Sequence, residues 1–433
     1  MPALTFELEH EDTATGARTG RVTTPHGTFQ TPAFMPVGTQ AAVKGLLPAQ
    51  LRQVGAEIIL ANTYHLLLRP GPELIAQMGG LQAWMSWNGP MLTDSGGYQV
   101  FSLADISKLD DDGVTFQSHI DGATVALTPE RAMEVQNQLG ADIIMALDDC
   151  PPGAGAGVWG LGSGPRARTR DPRPQTPDPT YTDRVKLANE RTLRWLDRCV
   201  KAHARTGEQA LFGIVQGGVD LDQRSWCVQR VLQHDLPGYA IGGVAVGEGP
   251  EQMRRVVEHT APLLPRDKPR YLMGVGYERD LVMAVRAGVD MFDCVLPTRN
   301  GRSANAFTRT GQIRLKNARF RDDPRPIEEG CDCIACGGRD PATEGPSDQG
   351  AAHAGEAGRP SIPRSLGPSV PSFSRSYLRH LFLSGEMLGP ILVSAHNIRH
   401  FQRLMLDIRG AIRQNDWSSV ARRWPVLRAA ALA

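Results

Sequence analysis

A chain of 433 residues with 41% apolar side chains can bury a large core, which excludes disorder over its whole length and fits one large barrel or sheet domain with attachments. Its formal net charge of +1 sets up no overall basic field, so any contact with nucleic acid has to come from a local patch. No apolar run approaches the roughly 20 residues of a membrane span, and Met1-Pro2-Ala3-Leu4-Thr5 lacks the regions of a secretory leader, so a cytoplasmic protein with no membrane contact is expected.

Short, nearly continuous apolar runs recur at 57–62, 141–148, 211–216, 239–244, 271–276 and 289–293. Without polar alternation, such runs suit parallel strands buried on both faces. Between them, 129–139, 183–204, 222–234, 250–264 and 278–287 carry apolar residues at helical spacing. Strand and helix alternate, and no Gly-x-Gly-x-x-Gly fingerprint follows the first strand. The predicted fold class is therefore α/β, a (β/α)8 barrel and not a doubly wound sheet. In such barrels the active site lies at the C-terminal ends of the strands, where Asn62, Asp148, Gln216, Gly243 and Asp293 fall. The Gly-, Pro- and Arg-rich stretch 153–180 and the Gly-, Pro-, Ser- and Ala-rich stretch 338–373 have little to pack and read as flexible insertions. Beyond them, Tyr377, Leu378, Leu381 and Phe382 resume helical spacing, and a second helix over 396–412 is expected to close the barrel. The expected division is a barrel over 1–330 and a C-terminal subdomain with closing helices over 331–433.

Aspartates carry the candidate chemistry. Leu92-Thr93-Asp94-Ser95-Gly96-Gly97-Tyr98-Gln99 sets a carboxylate among small residues that let backbone approach a ligand; a turn shaped by Asp and Ser reads the same residues. Asp148 and Asp149 end another strand and suit either a ligand or the start of the next helix. The strand Met291-Phe292 runs directly into Asp293, placed to attack, stabilise or deprotonate, or else to pair with Arg299 or Arg302. Seven cysteines, an odd number with three of them within six residues, suit metal binding in a reducing compartment better than disulfides. Cys331-x-Cys333-x-x-Cys336 supplies three soft ligands for zinc, with His353, His380, His396 and His400 as candidates for the fourth. Four such ligands leave no open position, so the site is expected to be structural. Arg299, Arg302, Arg309, Arg314, Lys316, Arg319 and Arg321 form a basic run without an acidic residue, either a solvated face or a phosphate-tracking surface.

Together and in this order, these motifs resemble the tRNA-guanine transglycosylases. The likeness begins at Thr23-Thr24-Pro25-His26-Gly27 and Thr31-Pro32-Ala33-Phe34-Met35-Pro36-Val37-Gly38-Thr39 and continues through Asn62-Thr63-Tyr64-His65-Leu66 and the Asp94 motif. It runs on through Phe212-Gly213-Ile214-Val215-Gln216-Gly217-Gly218, the Asp293 strand and the cysteines, covering the chain apart from the two insertions. The resemblance implies a (β/α)8 barrel with a zinc subdomain and the exchange of a tRNA guanine for a 7-deazaguanine. In the bacterial branch the incoming base is 7-aminomethyl-7-deazaguanine (preQ1), placed at the wobble position of tRNAs with a GUN anticodon, those for aspartate, asparagine, histidine and tyrosine.

Carried over residue by residue, the resemblance makes Asp293 the nucleophile that attacks ribose C1′ and Asp94 the acid/base partner in a double displacement. It assigns the base pocket to Ser95, Gly96, Gly97, Asp148, Cys150, Gln216, Gly243 and Val244, with Tyr98 and Met273 sandwiching the ring. RNA-contacting loops are implied at Gly274, Val275, Gly276, Tyr277, Glu278, Arg279 and Asp280 and at Thr298, Arg299, Asn300, Gly301 and Arg302. Among the histidines it selects His396, in the His396-Asn397 pair, as the fourth ligand of one structural zinc ion beside Cys331, Cys333 and Cys336. Val244 stands where bacterial members carry leucine and resembles the queuine-using eukaryotic enzymes, whereas Cys150 is bacterial in character; preQ1 is the expected base. No further RNA-binding domain follows the final helix, which disfavours the archaeal branch. Bacterial members act as homodimers on one tRNA. Two rivals remain, a non-catalytic tRNA-binding partner subunit and a carboxylate-based nucleosidase. Retention of Asp94 and Asp293 weighs against the first and the basic run against the second.

Overall fold

The computed structural model describes residues 2–103, 106–151, 153, 179–337 and 372–427. Most of 153–180 and of 338–373, the two stretches expected to be flexible insertions, lies outside these residues, as does His353.

Eight parallel strands close into a barrel: β1 (Ala33–Gly38), β2 (Ile59–Ala61), β3 (Met91–Thr93), β4 (Ile143–Met145), β5 (Ala210–Val215), β6 (Gly238–Ile241), β7 (Arg270–Leu272) and β8 (Met291–Cys294). Each pairs with its neighbours in the chain, and β8 pairs with β1 in the register Asp293 opposite Met35. The predicted barrel is therefore present. Six of its strands overlap the apolar runs, four of them reaching one residue beyond, while β1 and β3 do not coincide with any. β1 carries Pro36, which argues against a central strand because it cannot donate to the ladder.

The chain forms two compact units, one of Met1–Val43, Ala56–Leu296 and Gln402–Ala433 and one of Lys44–Gly55 and Pro297–Phe401. In the first, Met35, Leu60, Leu92, Met145, Phe212, Tyr271 and Met291 belong to a buried cluster that Val22 and Phe29 of an N-terminal antiparallel sheet join. That sheet sits at the strands' N-terminal ends. There Arg18 forks onto Asp290, ahead of β8, at 2.9 and 2.6 Å, and His26 N donates to Asp142, ahead of β4, at 3.1 Å. The ends that run into Asp94, Asp148 and Asp293 are thus the opposite, open ends.

Local rules place the helices. Thr128 caps Pro129–Leu139 by accepting from Arg131 N, Pro129 occupies the first turn, and Gly140 ends the helix in the left-handed region at φ 81°. The last long helix, Leu388–Gln414, starts eight residues before the expected 396 because Gly389 and Pro390, which read as breakers, are tolerated in a first turn. Its residues from Gln402 belong to the barrel unit, where Gln402 and Arg409 donate to the carbonyls of Phe34 and Pro32 at 2.9 Å. In the second unit the helix Arg375–Ser384 and the hairpin Asn305–Thr308/Gly311–Arg314 share a core with the three clustered cysteines.

Candidate active site

β3 delivers Asp94 and β2 delivers the residues that hold it. Thr63 N donates to Asp94 Oδ1 at 2.9 Å, while the amides of Asn62 and Gln99 donate to Oδ2, the latter at 2.8 Å. The turn that follows is close-packed. Gly96 has φ +82° and a Cβ there would lie 3.1 Å from Tyr64 N, so glycine is required; Ser95 Oγ accepts from Gly97 N at 3.3 Å. Among the described residues no cation pairs with Asp94. Burial, with the negative charge of Asp293 as a further contribution, raises its carboxyl to about 6 against the lowering effect of Asn62 and Thr63.

Asp293 is the third residue of β8, on the inward side with Met291. Its Oδ1 accepts from Tyr271 Oη at 2.6 Å and from Gly274 N at 2.7 Å, and among the described residues Oδ2 accepts from none. Of the two sequence readings, pairing with Arg299 or Arg302 is not seen among the described residues, and Asp293 answers to Tyr271 and Gly274 instead. Burial raises its carboxyl, and burial with the charge of Asp293 raises the Tyr271 phenol well above its usual range, so Tyr271 stays a proton donor.

Asp148 and Asp149 part ways. Asp148 Oδ2 accepts from Gln216 Nε2 at 2.6 Å, and burial, added to by the Asp149 charge, lifts Asp148 to about 7. Asp149 instead accepts from Arg184 at 2.9 and 2.6 Å and from Arg191, which ties it to the helix Pro179–Ala202. Gln216 lies along Gly242 and Gly243, where a Cβ would come within 2.6 Å of Nε2 and 2.2 Å of Oε1. Cys150 and Val244 are buried, and burial pushes the Cys150 thiol up to about 12, out of nucleophilic range at neutral pH. Tyr98 follows the Asp94 turn and is exposed, while Met273, one residue past β7, is half-buried against the barrel cluster.

The two stretches expected as RNA-contacting loops are partly helical. Gly274 to Tyr277 form a turn, but Glu278, Arg279 and Asp280 open the helix Glu278–Arg286, and Val275, Gly276 and Glu278 face inward. A Cβ on Gly276 would meet Cys294 Cβ at 2.5 Å, so this turn lies flat on β8. Thr298 to Arg302 belong to the helix Leu296–Arg302; Thr298 and Gly301 are buried, leaving Arg299, Arg302 and the partly exposed Asn300 to offer side chains. The resemblance implies loops at both places; the helix Glu278–Arg286 agrees with the helical spacing read over 278–287, and the helix Leu296–Arg302 corrects the second loop.

In the second unit Cys331, Cys333, Cys336 and His396 are all buried and bring their ligand atoms within 4.8 Å of one another. The three thiol sulfurs stand 3.7, 3.5 and 3.4 Å from His396 Nδ1. The other ring nitrogen, Nε2, meets the Phe307 carbonyl at 2.7 Å, which orients Nδ1 inward. Asn397 accepts from Phe307 N and donates to the carbonyls of Pro297 and Asn305, so the His-Asn pair anchors the hairpin as well as the cluster. Four soft or borderline ligands in this arrangement fit a metal ion with no open position.

Sequence reasoning overlooked Tyr271, Gln99 and Arg224. Tyr271 was inside an apolar run, and only the alternation that sets it on the side of Met273 could have flagged it. Arg224 is a fully buried cation on the inner face of the helix Leu221–Val231. A charged residue at an apolar position of a helix was its one signal.

With this geometry in hand, likeness to known proteins decides the family. A family model described as "Queuine tRNA-ribosyltransferase" matches residues 12–157, 171–343 and 361–428. The chain belongs to the queuine tRNA-ribosyltransferase family. The queuine tRNA-ribosyltransferase of Thermus thermophilus is 47% identical over 417 residues, covering 96% of this chain and 93% of its own length. That of Synechococcus elongatus is 46% identical, with coverages of 95% and 92%, and that of Staphylococcus aureus 44% identical, with 96% and 94%. The stretches that the family match skips, 158–170 and 344–360, lie inside the two segments whose composition set them apart.

Proposed function

We propose that the protein is a tRNA-guanine transglycosylase that exchanges the wobble guanine of GUN-anticodon tRNAs for preQ1 in queuosine biosynthesis. The observation that carries the chemistry is the state of Asp293: one oxygen is fixed by Tyr271 and Gly274, and among the described residues no hydrogen-bond donor reaches the other and no cation pairs with either. In the first displacement Asp293 Oδ2 forms a bond to ribose C1′ as the bond from C1′ to guanine N9 breaks, and the departing base takes a proton from Asp94. In the second, the incoming base gives a proton back to Asp94 and its N9 displaces the carboxylate. A carboxyl raised to about 6 suits a group that donates and accepts in turn near neutral pH. Each bond to C1′ that breaks is replaced by another, so the energy of the glycosidic bond is kept and no nucleotide hydrolysis is needed.

Asp148 as a carboxylate accepts from guanine N1 and N2, and the second N–H of the Gln216 amide donates to O6. Tyr98 and Met273 cover the two faces of a base that must first leave its stack. Ser95, Gly96 and Gly97 shape the near wall, Gly243 and Val244 the far one, and Cys150 is buried, in keeping with its bacterial character. The basic residues Arg299, Arg302, Arg314, Lys316, Arg319 and Arg321 are exposed and support phosphate contacts, with Tyr277 and Arg279 the exposed members of the other stretch. The metal is zinc. Its usual bond lengths to sulfur and nitrogen imply ligand separations of roughly 3.6 Å in a tetrahedron, and the sulfur-to-His396 distances of 3.4 to 3.7 Å agree.

On this reading the enzyme is a homodimer. Leu383 and Met387, 57% and 79% exposed, give a homodimer apolar surface to cover. Among the described residues no helix is long and apolar enough to cross a membrane, in keeping with work on tRNA in the cytoplasm.

Incubation with labelled guanine and unmodified tRNA tests the reading. Label enters tRNA with wild type and fails to enter with Asp293→Asn, and a protein–RNA adduct trapped in the first is missing in the second. Release of free guanine without incorporation identifies a nucleosidase instead, and binding without either outcome a partner subunit.

A further inference from the structure

Arg224 has no part in the chemistry above, yet it is the most completely engaged side chain beside the base pocket. It is fully buried on the helix Leu221–Val231. Nε and Nη2 donate to the Gly218 carbonyl at 2.9 and 2.8 Å, Nη1 donates to Val215 and Gly242 at 3.0 and 2.7 Å, and Nη2 also donates to Gly243 at 3.2 Å. Five donors meet four main-chain carbonyls, and among the described residues no carboxylate lies within ion-pair distance. Burying a cation against dipoles alone costs several kcal/mol of desolvation that a neutral apolar residue avoids. Burial accordingly brings the guanidinium down to about 10.

The carbonyls it selects explain why a charged fork is kept. Val215 and Gly218 flank Gln216 at the end of β5, and Gly242 and Gly243 form the turn at the end of β6 on which the Gln216 amide lies. Both loops carry glycines that the arginine needs. A Cβ on Gly217 would meet Arg224 Cδ and Cγ at 3.1 Å, and one on Gly243 would meet Nη2 at 3.3 Å, both residues having positive φ. Because a trans peptide is planar, holding the Gly242 and Gly243 carbonyls toward Arg224 turns the N–H groups of Gly243 and Val244 the opposite way.

We propose that Arg224 is a positioning residue of the base pocket: by clamping the carbonyls of Val215, Gly218, Gly242 and Gly243 it fixes the Gln216 amide and the Gly243 and Val244 N–H donors in the arrangement that reads the purine. The inference rests on the transglycosylase reading of this pocket. Only a planar fork with five donors reaches both loops at once; an ammonium offers three donors from a single point and leaves carbonyls unpaired. Loss of the clamp therefore weakens purine recognition and leaves tRNA contacts alone.

The test compares wild type with Arg224→Lys, Arg224→Gln and Arg224→Ala, each checked for thermal unfolding and metal content and then assayed for guanine exchange with KM determined separately for guanine and for tRNA. The folded variants are expected to raise KM for guanine about tenfold or more, the scale of misplacing a binding group by a fraction of an ångström, with KM for tRNA within about twofold. Guanidinium ion added at millimolar concentration restores guanine affinity to Arg224→Ala and does nothing for Arg224→Lys. A folded variant with wild-type KM for guanine, or with guanine and tRNA affinities lost in parallel, overturns the positioning role. So does unfolding of every variant, since the arginine is then only a pin of the barrel. Wild-type protein that exchanges no guanine overturns the transglycosylase reading, a different failure that the wild-type assay alone reveals.

Discussion

Asp94→Asn is expected to become increasingly stable relative to wild type as pH rises, although it removes the proposed acid/base residue. Burial raises the Asp94 carboxyl from 3.8 to about 6, so the folded state binds the proton more tightly than the unfolded chain does. For a group raised in this way the stabilising form is the protonated one. Stability is greatest below the unfolded value and falls as pH climbs toward the folded value, reaching a constant penalty above it. A difference of about two pH units corresponds to roughly 3 kcal/mol at neutral pH, of which about half is already present at pH 5. Asparagine removes this dependence, but it also turns one acceptor into a donor facing Asn62, Gln99 or Thr63, a pH-independent loss of about 1–3 kcal/mol. The absolute difference between the proteins is therefore less informative than its slope. Between pH 5 and pH 8 the difference should move in favour of Asp94→Asn by about 1.5 kcal/mol. For a chain of 433 residues with an unfolding entropy of roughly 0.9 kcal/mol/K, that is about 1.7 °C in melting temperature. Thermal unfolding of both proteins across that range measures it. A difference that stays flat, or that moves in favour of wild type, refutes the assignment of a raised carboxyl to Asp94.

Two further outcomes follow from the same geometry. Tyr271→Phe deletes one of the two bonds to Asp293 Oδ1; a hydrogen bond to a charged acceptor is worth about 1.5–3 kcal/mol, so the acidic limb of kcat/KM should move up by roughly one to two pH units, and an unmoved limb shows that Tyr271 does not hold the carboxylate. Chelation, or Cys333→Ser, should release one metal ion per chain and expose the second unit to proteolysis while the barrel strands stay protected; retention of the metal by Cys333→Ser shows that the cluster is not the ligand set.

The parts of the fold legible in the sequence are those where one physical requirement acts alone. β4 to β8 lie between two apolar layers, so burial on both faces dictates their composition and a run such as Ile143-Ile144-Met145 announces itself. β1 was hidden because Pro36 is unfavourable in a ladder unless its position faces away from the donor row, a condition that appears only once the barrel closes on Cys294. The antiparallel sheets flanking the barrel are short and half-exposed, and composition does not separate them from loops. In the site, strand ends marked Asp148 and Asp293, but composition could not say that Asp149 turns away to Arg184 and Arg191 while its neighbour faces Gln216. Adjacent residues on an extended chain point to opposite sides, and which side holds arginines is settled by a helix more than thirty residues later.

The two ends of the barrel treat their carboxylates differently, and the contrast bears on mechanism. At the N-terminal end Asp290 has a buried arginine and a backbone amide, and Asp142 has the backbone N–H groups of His26 and Met91 with the Gln82 amide. These acids are compensated and join strands to the sheet below. At the C-terminal end Asp94 and Asp148 are buried and Asp293 is partly buried, yet all three lack a lysine or arginine partner among the described residues, and burial raises each of them. A sequence selected only for stability could have set a guanidinium there, as it did beside Asp149 and Asp290. On the proposed reaction the missing cation is supplied transiently: positive charge develops at ribose C1′ as the base departs, and an uncompensated carboxylate stabilises that charge more than it stabilises the neutral ground state. A resident arginine would hold Asp293 in its ionised form but would also quench its attraction for the reacting sugar. Neutral donors such as Tyr271 and Gly274 orient one oxygen without bringing in that competing charge.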